Sequence, residues 1–206
     1  MAMTYNSLVE TIGIWINRSD ATTLAQIPHF ISNAEQKICN EDENLGLIQV
    51  VQGTFIAASS VYPKPARWRR NISFNYGTGA GNNTMNTILE AKYEFLRAYW
   101  PNPTQTGFPR FYADYDYQHI LVAPTPDQAY QFEYSYIELP SPLSVSNQTN
   151  WITNYAPQIL LYASLLESAP YLQTDERIET WNKFYREGMD ELKKQNARRV
   201  VGDKNG

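Results

Sequence analysis

Residues 154–169 read NYAPQILLYASLLESA, and they are apolar on nearly every side at helical spacing. A helix without a polar face has to be surrounded by protein, so this stretch is expected at the centre of the core, with Pro170 ending it. Downstream, Thr174 is placed to cap a last helix, with Asp175 and Glu176 in its first turn and a stripe of Ile178, Trp181, Tyr185 and Leu192. Beyond Gln195 the periodicity is lost. The partners for the central helix come from the other end of the chain. Leu8, Ile12, Trp15 and Ile16 share one helical face, with Ser7 and Glu10 as its capping box. Ile27, Phe30, Ile31, Ala34 and Ile38 form the stripe of a second helix that starts near Pro28. The acidic run Glu41-Asp42-Glu43 is unfavourable at a helix C-terminus and reads as a solvated loop.

Between these helical ends the period changes. LGLIQVVQGTFIAASSVYP (45–63) and ARWRRNISFNYG (66–77) are β-branched and aromatic, and GTGAGNN (77–83) reads as a flexible loop. Thr87 and Glu90 suggest a capping box for a short helix carrying Leu89, Tyr93, Leu96 and Trp100, stopped by Pro101. FPRFYADYDYQHILVAP (108–124) reads as two strands joined near Asp114 to Asp116. Next, Tyr130, Phe132, Tyr134 and Tyr136 alternate with Gln131, Glu133 and Ser135, which predicts a strand with one buried and one wet face. The expected class is α+β: a helical bundle of N-terminal and C-terminal helices (1–44 and 149–195) with an inserted antiparallel β-region (45–148) and a tail (196–206).

Composition bounds what such a chain does. Hydrophobic residues make up 43%, charged residues only 18%, and aromatic residues 14%, with fifteen Tyr. Tyrosine suits surfaces that are wet before assembly and buried after it, and it equally suits β-cores. The net charge is −4, yet residues 193–206 carry +4, which leaves −8 on the rest. An acidic body is not the footprint of a nucleic-acid binder. Cys39 is the single cysteine, so no internal disulfide and no cysteine-based zinc site is expected. No apolar run has membrane-spanning length, and MAMTYNSLVE lacks the pattern of a secretion signal, which points to folding in a reducing cytoplasm.

The chain carries no metalloprotease, nucleophile-elbow, P-loop or dinucleotide signature. Asp114, Asp116 and His119 are the only grouping that suggests a metal, and turn chemistry accounts for two carboxylates at a hairpin equally well. Arg67-Trp68-Arg69-Arg70 interleaves basic and aromatic residues; it reads as a charged edge strand, or as a contact for DNA or an acidic partner. Neither enzymatic activity nor a cofactor is expected.

Three ordered stretches resemble the adaptor, or head-to-tail connector, subunits of tailed bacteriophages, including tail-tubular and gatekeeper-like neck proteins. TYNSLVETIGIWINRSD with IPHFISNAEQKI is similar to the opening helix pair of that family. LEAKYEFLRAYWP followed by GFPRFYADYDYQHILVAPTPDQAYQFEYSYIELPSPLS is similar to its central stretch. NWITNYAPQILLYASLLESAPYLQTDERIETWNKFY is similar to its closing helices. The resemblance implies a non-enzymatic virion protein, assembled in the host cytoplasm and placed in the neck between capsid and tail. It implies a closed ring, usually of twelve copies, clamped to a portal protein above and to a tail protein below, through which DNA passes without specific binding or membrane contact. An acidic wall fits such passage, since like charge keeps phosphates from sticking. Within this reading Arg198, Arg199, Val200, Val201 and Lys204 are the expected portal-docking residues, as an extended segment that adds a strand to the portal. Two other classes stay open: an aromatic glycan-binding tail module, and a metal-dependent hydrolase around Asp114, Asp116 and His119.

Overall fold

The computed structural model describes residues 3–42, 46–78, 81, 84–172 and 176–201, with side chains as far as Asn196. Three helices come first: α1 (Tyr5–Ile16), α2 (Ala21–Leu24) and α3 (Ile27–Glu41). Strands β1 (Leu47–Thr54), β2 (Val61–Pro63), β3 (Trp68–Thr78) and β4 (Thr84–Glu90) follow, then helix α4 (Tyr93–Tyr99). Strands β5 (Thr106–Gly107), β6 (Phe111–Asp114), β7 (His119–Ala123), β8 (Thr125–Pro126) and β9 (Gln131–Glu138) complete the middle of the chain. Helices α5 (Trp151–Tyr155), α6 (Pro157–Leu172) and α7 (Ile178–Val201) close it. The class is α+β, with two compact units: Met1–Leu47 together with Leu139–Gly206, and Ile48–Glu138.

In the helical unit, α6 is the centre. Leu160, Ala163 and Leu165 have no exposed surface, and α1, α3 and α7 all pack on this helix. Leu8, Ile12 and Ile16 of α1 and Ile27, Ile31, Ala34 and Ile38 of α3 are buried as the spacing predicts, whereas Trp15, expected on the same face of α1, is exposed. The α7 stripe is Trp181, Tyr185, Met189 and Leu192. Polar side chains on α6 are satisfied locally: Ser164 Oγ donates to the Leu160 carbonyl and Ser168 Oγ to that of Leu165.

The helix ends differ from the sequence expectation in several places. The cap of α1 is Thr4, whose side chain accepts from the Ser7 amide while Ser7 Oγ accepts from the Thr4 amide, so Glu10 is not in the box. Pro170 lies inside α6 instead of ending it, and the helix runs only two residues further, to Leu172, so the one hydrogen bond that the missing amide forfeits falls in the last turn. Helix α7 starts at Ile178 with Glu179 in its first turn; Thr174 and Asp175 lie outside the described residues. Glu41 and Asp42 do not form a solvated loop. Glu41 belongs to α3 and accepts from the Tyr185 hydroxyl at 2.7 Å, and Asp42 is buried and accepts from Asn196 Nδ2 at 2.6 Å. Tertiary donors from α7 replace the water that the dipole argument assumed.

In the β unit, seven strands form one mixed sheet in the order β1-β9-β3-β4-β6-β7-β2, with β5 and β8 as a separate parallel pair. Strand β3 is antiparallel to both β9 and β4, and β6 is antiparallel to β7. The β4–β6 pairing is parallel, so the sheet is not purely antiparallel as expected. Thr87 and Glu90 lie in β4 and cap nothing; α4 begins after Lys92. The pairing of Phe74 with Ile88 draws this β-branched stretch into the ladder, which overrides the local capping pattern. Gly77 and Thr78 belong to β3 and not to a loop, while Gly79, Ala80, Asn82 and Asn83 of the glycine-rich stretch lie outside the described residues.

The core of this unit is aromatic. Phe55 lies 4.8 Å from Phe132 and Phe74 lies 4.9 Å from Tyr134, ring centre to ring centre. Eight of the fifteen tyrosines are buried, so much of the tyrosine content is spent inside the chain. Strand β9 carries Tyr134 and Tyr136 on the aromatic side, yet Ser135 and Ile137 are buried as well. The expected wet face is therefore only partial.

Candidate functional site

Arg67 to Arg70 do not form one uniform edge. Arg67 sits in a turn with φ of 53° and forms an ion pair with Glu138 at 2.5 Å, while β3 begins at Trp68. Strand β3 lies between β9 and β4, but its ladder to β4 covers only Phe74 to Thr78, so among the described residues Trp68 and Arg70 have a ladder partner in β9 alone, and the edge-strand reading of this stretch stands. Trp68 is half-buried, and its Nε1 donates to Asn71 Oδ1 at 2.9 Å. One face of its ring is taken by Lys64, whose Nζ lies 3.8 Å from the ring centre. That ammonium, on a side chain only 4% exposed, also meets Asp114 at 2.9 Å and the Asp116 carbonyl at 3.1 Å. Asn71 extends the network: it accepts from the Tyr134 hydroxyl and donates to Glu90 at 2.9 Å. Burial first, then the nearby Glu90 and Asp114 carboxylates, push the Tyr112 phenol far up, and Tyr134 is shifted in the same direction mainly by burial. Both phenols thus stay neutral donors. The cluster organises one end of the β-sheet, and Lys64, which had no motif around it, is its hub. Lys64 lies between Pro63 and Pro65, and that rigid setting is the one sequence signal that marked it.

The carboxylates suggested for a metal are occupied otherwise. Asp114 is paired with Lys64. Asp116 Oδ1 accepts from the amides of Gln118 and His119, both at 2.7 Å, and the His119 ring lies 2.9 Å away. Desolvation is the largest single influence on Asp116 and opposes its ionisation, but the hydrogen bonds from Gln118 and His119 together outweigh it and hold the carboxyl below the ordinary range. This is turn chemistry. Among the described residues no three His, Cys, Asp or Glu side chains converge on a metal position.

At the C-terminal end, helix α7 runs on to Val201. Arg198, Arg199, Val200 and Val201 therefore lie on helical backbone and not in the extended segment expected from the sequence. The lost periodicity after Gln195 is compatible with this, since Ala197 and the two arginines are good helix formers. Lys204 lies outside the described residues. Among the described residues no helix is long and apolar enough to cross a membrane.

What this surface offers is contact area instead of chemistry. Tyr117, Ile14, Val145 and Tyr155 are each at least two-thirds exposed. The sequence profile of the SU10 adaptor protein family matches residues 3–204. The chain belongs to that family. Its members are phage adaptor proteins, a structural class, and the match spans both the helical unit and the β unit. No curated protein matches the chain. For an SU10 adaptor protein, a structural role in the virion fits a surface with exposed aromatic and aliphatic side chains and ionisable groups tied up in local pairs.

Proposed function

We propose that the chain is one subunit of a closed ring in the phage neck, which joins the portal to the tail around the path of the DNA. The observation that carries this reading is the family match over residues 3–204. A ring subunit needs two unlike side surfaces, plus ends for two different partners. The large exposed side chains are spread over both units, as such a division of contacts requires: Ile14 and Tyr155 on the helical one, Tyr117 and Phe108 on the other. The usual copy number in the resembled connectors is twelve, and that number is part of the proposal. The C-terminal end of α7, with Arg198, Arg199, Val200 and Val201, docks on the portal as a helix laid in a groove, with its arginines meeting carboxylates. The Arg67–Arg70 stretch contacts DNA or an acidic partner through its exposed members, Arg67 and Arg70.

The test is electron microscopy of the protein mixed with the portal protein encoded beside it. One ring stacked on the portal, with matching symmetry, is the expected result. Protein found in fibres or in the capsid lattice of the virion would overturn the reading.

A further inference from the structure

The sheet of the β unit treats its edges unequally. Its β2 edge is guarded: β2 has three residues and ends in Pro63, so it offers a poor template for another strand. The opposite edge, β1, is eight residues long, LIQVVQGT, without a charge or a proline. Among the described residues its only ladder partner is β9. Natural sheets blunt, cover or pair such an edge, and β1 has neither a charge nor a proline to blunt it.

A second open edge lies four strands away. Strand β4 pairs with β6 only at Leu89 and Glu90, so among the described residues Thr84 to Ile88 have a ladder partner on the β3 side alone. Beside them is an open groove of about 830 Å³, with Met85, Thr87 and Leu89 on one side and Phe108 and Arg110 on the other. In this half of the sheet the order is β1-β9-β3-β4, with one free edge at each side among the described residues.

The side chains of the two edges match. A Cβ on Gly53 would sit 2.5 Å from the Phe132 ring, which places the odd-numbered residues of β1 on the aromatic side and Ile48 and Val50 on the other. On β4, Ile88 and Asn86 are opposite Phe74 and Tyr76 on the aromatic side, so Met85, Thr87 and Leu89 share the far face. Val50 is 52% exposed, Met85 53% and Leu89 58%, which gives each edge an apolar row on the same face of the sheet.

We infer that β1 of one copy pairs with the free edge of β4 in the next copy, so that the sheets run on from subunit to subunit. This rests on the ring reading above and names its side contact. The occupant is a second copy of this chain because both halves of the contact are present on one sheet. Joining unlike edges is a head-to-tail contact, which rotation can close into a ring; joining like edges would stop at a dimer. Charge permits it: neither β1 nor Thr84 to Leu89 carries a charged residue, and residues 48–138 hold seven basic and seven acidic side chains. Five to eight paired residues bury less than the roughly 800 Å² per partner of a stable complex, so the contact forms once a portal holds copies side by side.

The test uses full-length chains on the portal. Val50→Lys puts a charge on the far face of β1, and at that exposed site it leaves the melting temperature near that of the wild type. Met85→Lys does the same on β4. Each alone lowers the yield of closed rings by about tenfold or more, since the pair then covers a charge that has no partner. Val50→Lys combined with Thr87→Glu in one chain restores rings, because the introduced ammonium on β1 of each copy then meets the introduced carboxylate on β4 of the next. Unchanged ring yield for Val50→Lys would overturn the inference, and so would rings lost in both lysine variants without rescue by Thr87→Glu. Two-fold dimers through β1, or loss of portal binding by Val50→Lys chains, would assign the edge to another occupant. Wild-type protein that forms no ring on the portal would instead overturn the adaptor-ring reading, before any variant is compared.

Discussion

Glu35 on α3 and Asn150, 115 positions later, are joined by a hydrogen bond of 2.6 Å from Asn150 Nδ2 to Glu35 Oε1. The Leu143 amide donates to the same carboxylate, and Asn150 Oδ1 accepts from the Ile152 and Thr153 amides at the start of α5. One buried acid on the first half of the helical unit thereby anchors the segment that leads the chain back into it. Removal of the carboxylate takes the acceptor from the half-buried Leu143 amide and from one N–H of Asn150 Nδ2, whose other bond goes to the Ser141 carbonyl. Glu35→Ala should cost about 2–4 kcal/mol in urea titrations, and Asn150→Ala a similar amount, since it also loses the cap.

The same carboxylate has a pH signature. Burial pushes the Glu35 carboxyl above its ordinary range, against the lowering by Leu143 and Asn150. The native state therefore holds this proton more tightly than the unfolded chain, so its stabilising share is greatest at low pH and is lost as pH rises through the native value. Glu35→Gln keeps an acceptor for Asn150 and removes the titration. Urea midpoints between about pH 4 and 7 should show the wild type losing ground to Glu35→Gln as pH rises. Parallel profiles would mean that the carboxyl is not shifted.

Core stability should rest on α6. Leu160 and Leu165 are fully buried, and truncation of either to Ala should cost roughly 2–5 kcal/mol by chemical denaturation. Losses below about 1 kcal/mol would show that the helix is not central.

Gly188 marks the crossing of α7 over α6, because a Cβ there would approach Ile159 Cγ1 to 2.8 Å. Helix propensity alone would make Gly188→Ala stabilising by about 1 kcal/mol. The close approach should reverse the sign, with a net loss of about 1–2 kcal/mol and a larger loss for Gly188→Leu. Thermal melts of the two variants check the order.

The end of α7 is part of the fold as far as Asn196, which is buried and donates to Asp42. A chain ending at Gln195 should lose about 1–3 kcal/mol, and Asn196→Ala should account for most of it. A chain ending at Val201 should melt like the full-length protein. If truncation at Gln195 left stability unchanged, the Asp42–Asn196 bond would contribute nothing.

The sequence alone determined the class of the fold, because the period of its apolar residues reports local backbone geometry. Leu8-Ile12-Ile16, Ile27-Ile31-Ile38 and the all-round apolar α6 could only be helices that cover one another, and the tyrosine alternation before Pro140 could only be a strand. It also carried the family, whose signal is spread over the order of many weak stretches. Fates set by neighbours distant in sequence were decided by the tertiary structure. Thr87 and Glu90 look like a cap until Phe74 pairs with Ile88, and Glu41 and Asp42 look solvated until Tyr185 and Asn196 arrive from α7. Glu35 stood in an apolar stripe, a visible oddity, but its partners at Leu143 and Asn150 are more than a hundred residues away. Which strand edges stay open was equally hidden: β1 read as an ordinary strand, Thr87 to Glu90 read as the start of a helix, and only the sheet order and the two-residue β4–β6 pairing leave these edges open among the described residues. A side chain states its own preference for helix, strand or water; which partner meets it is fixed by loop closure and packing, and those belong to the whole chain.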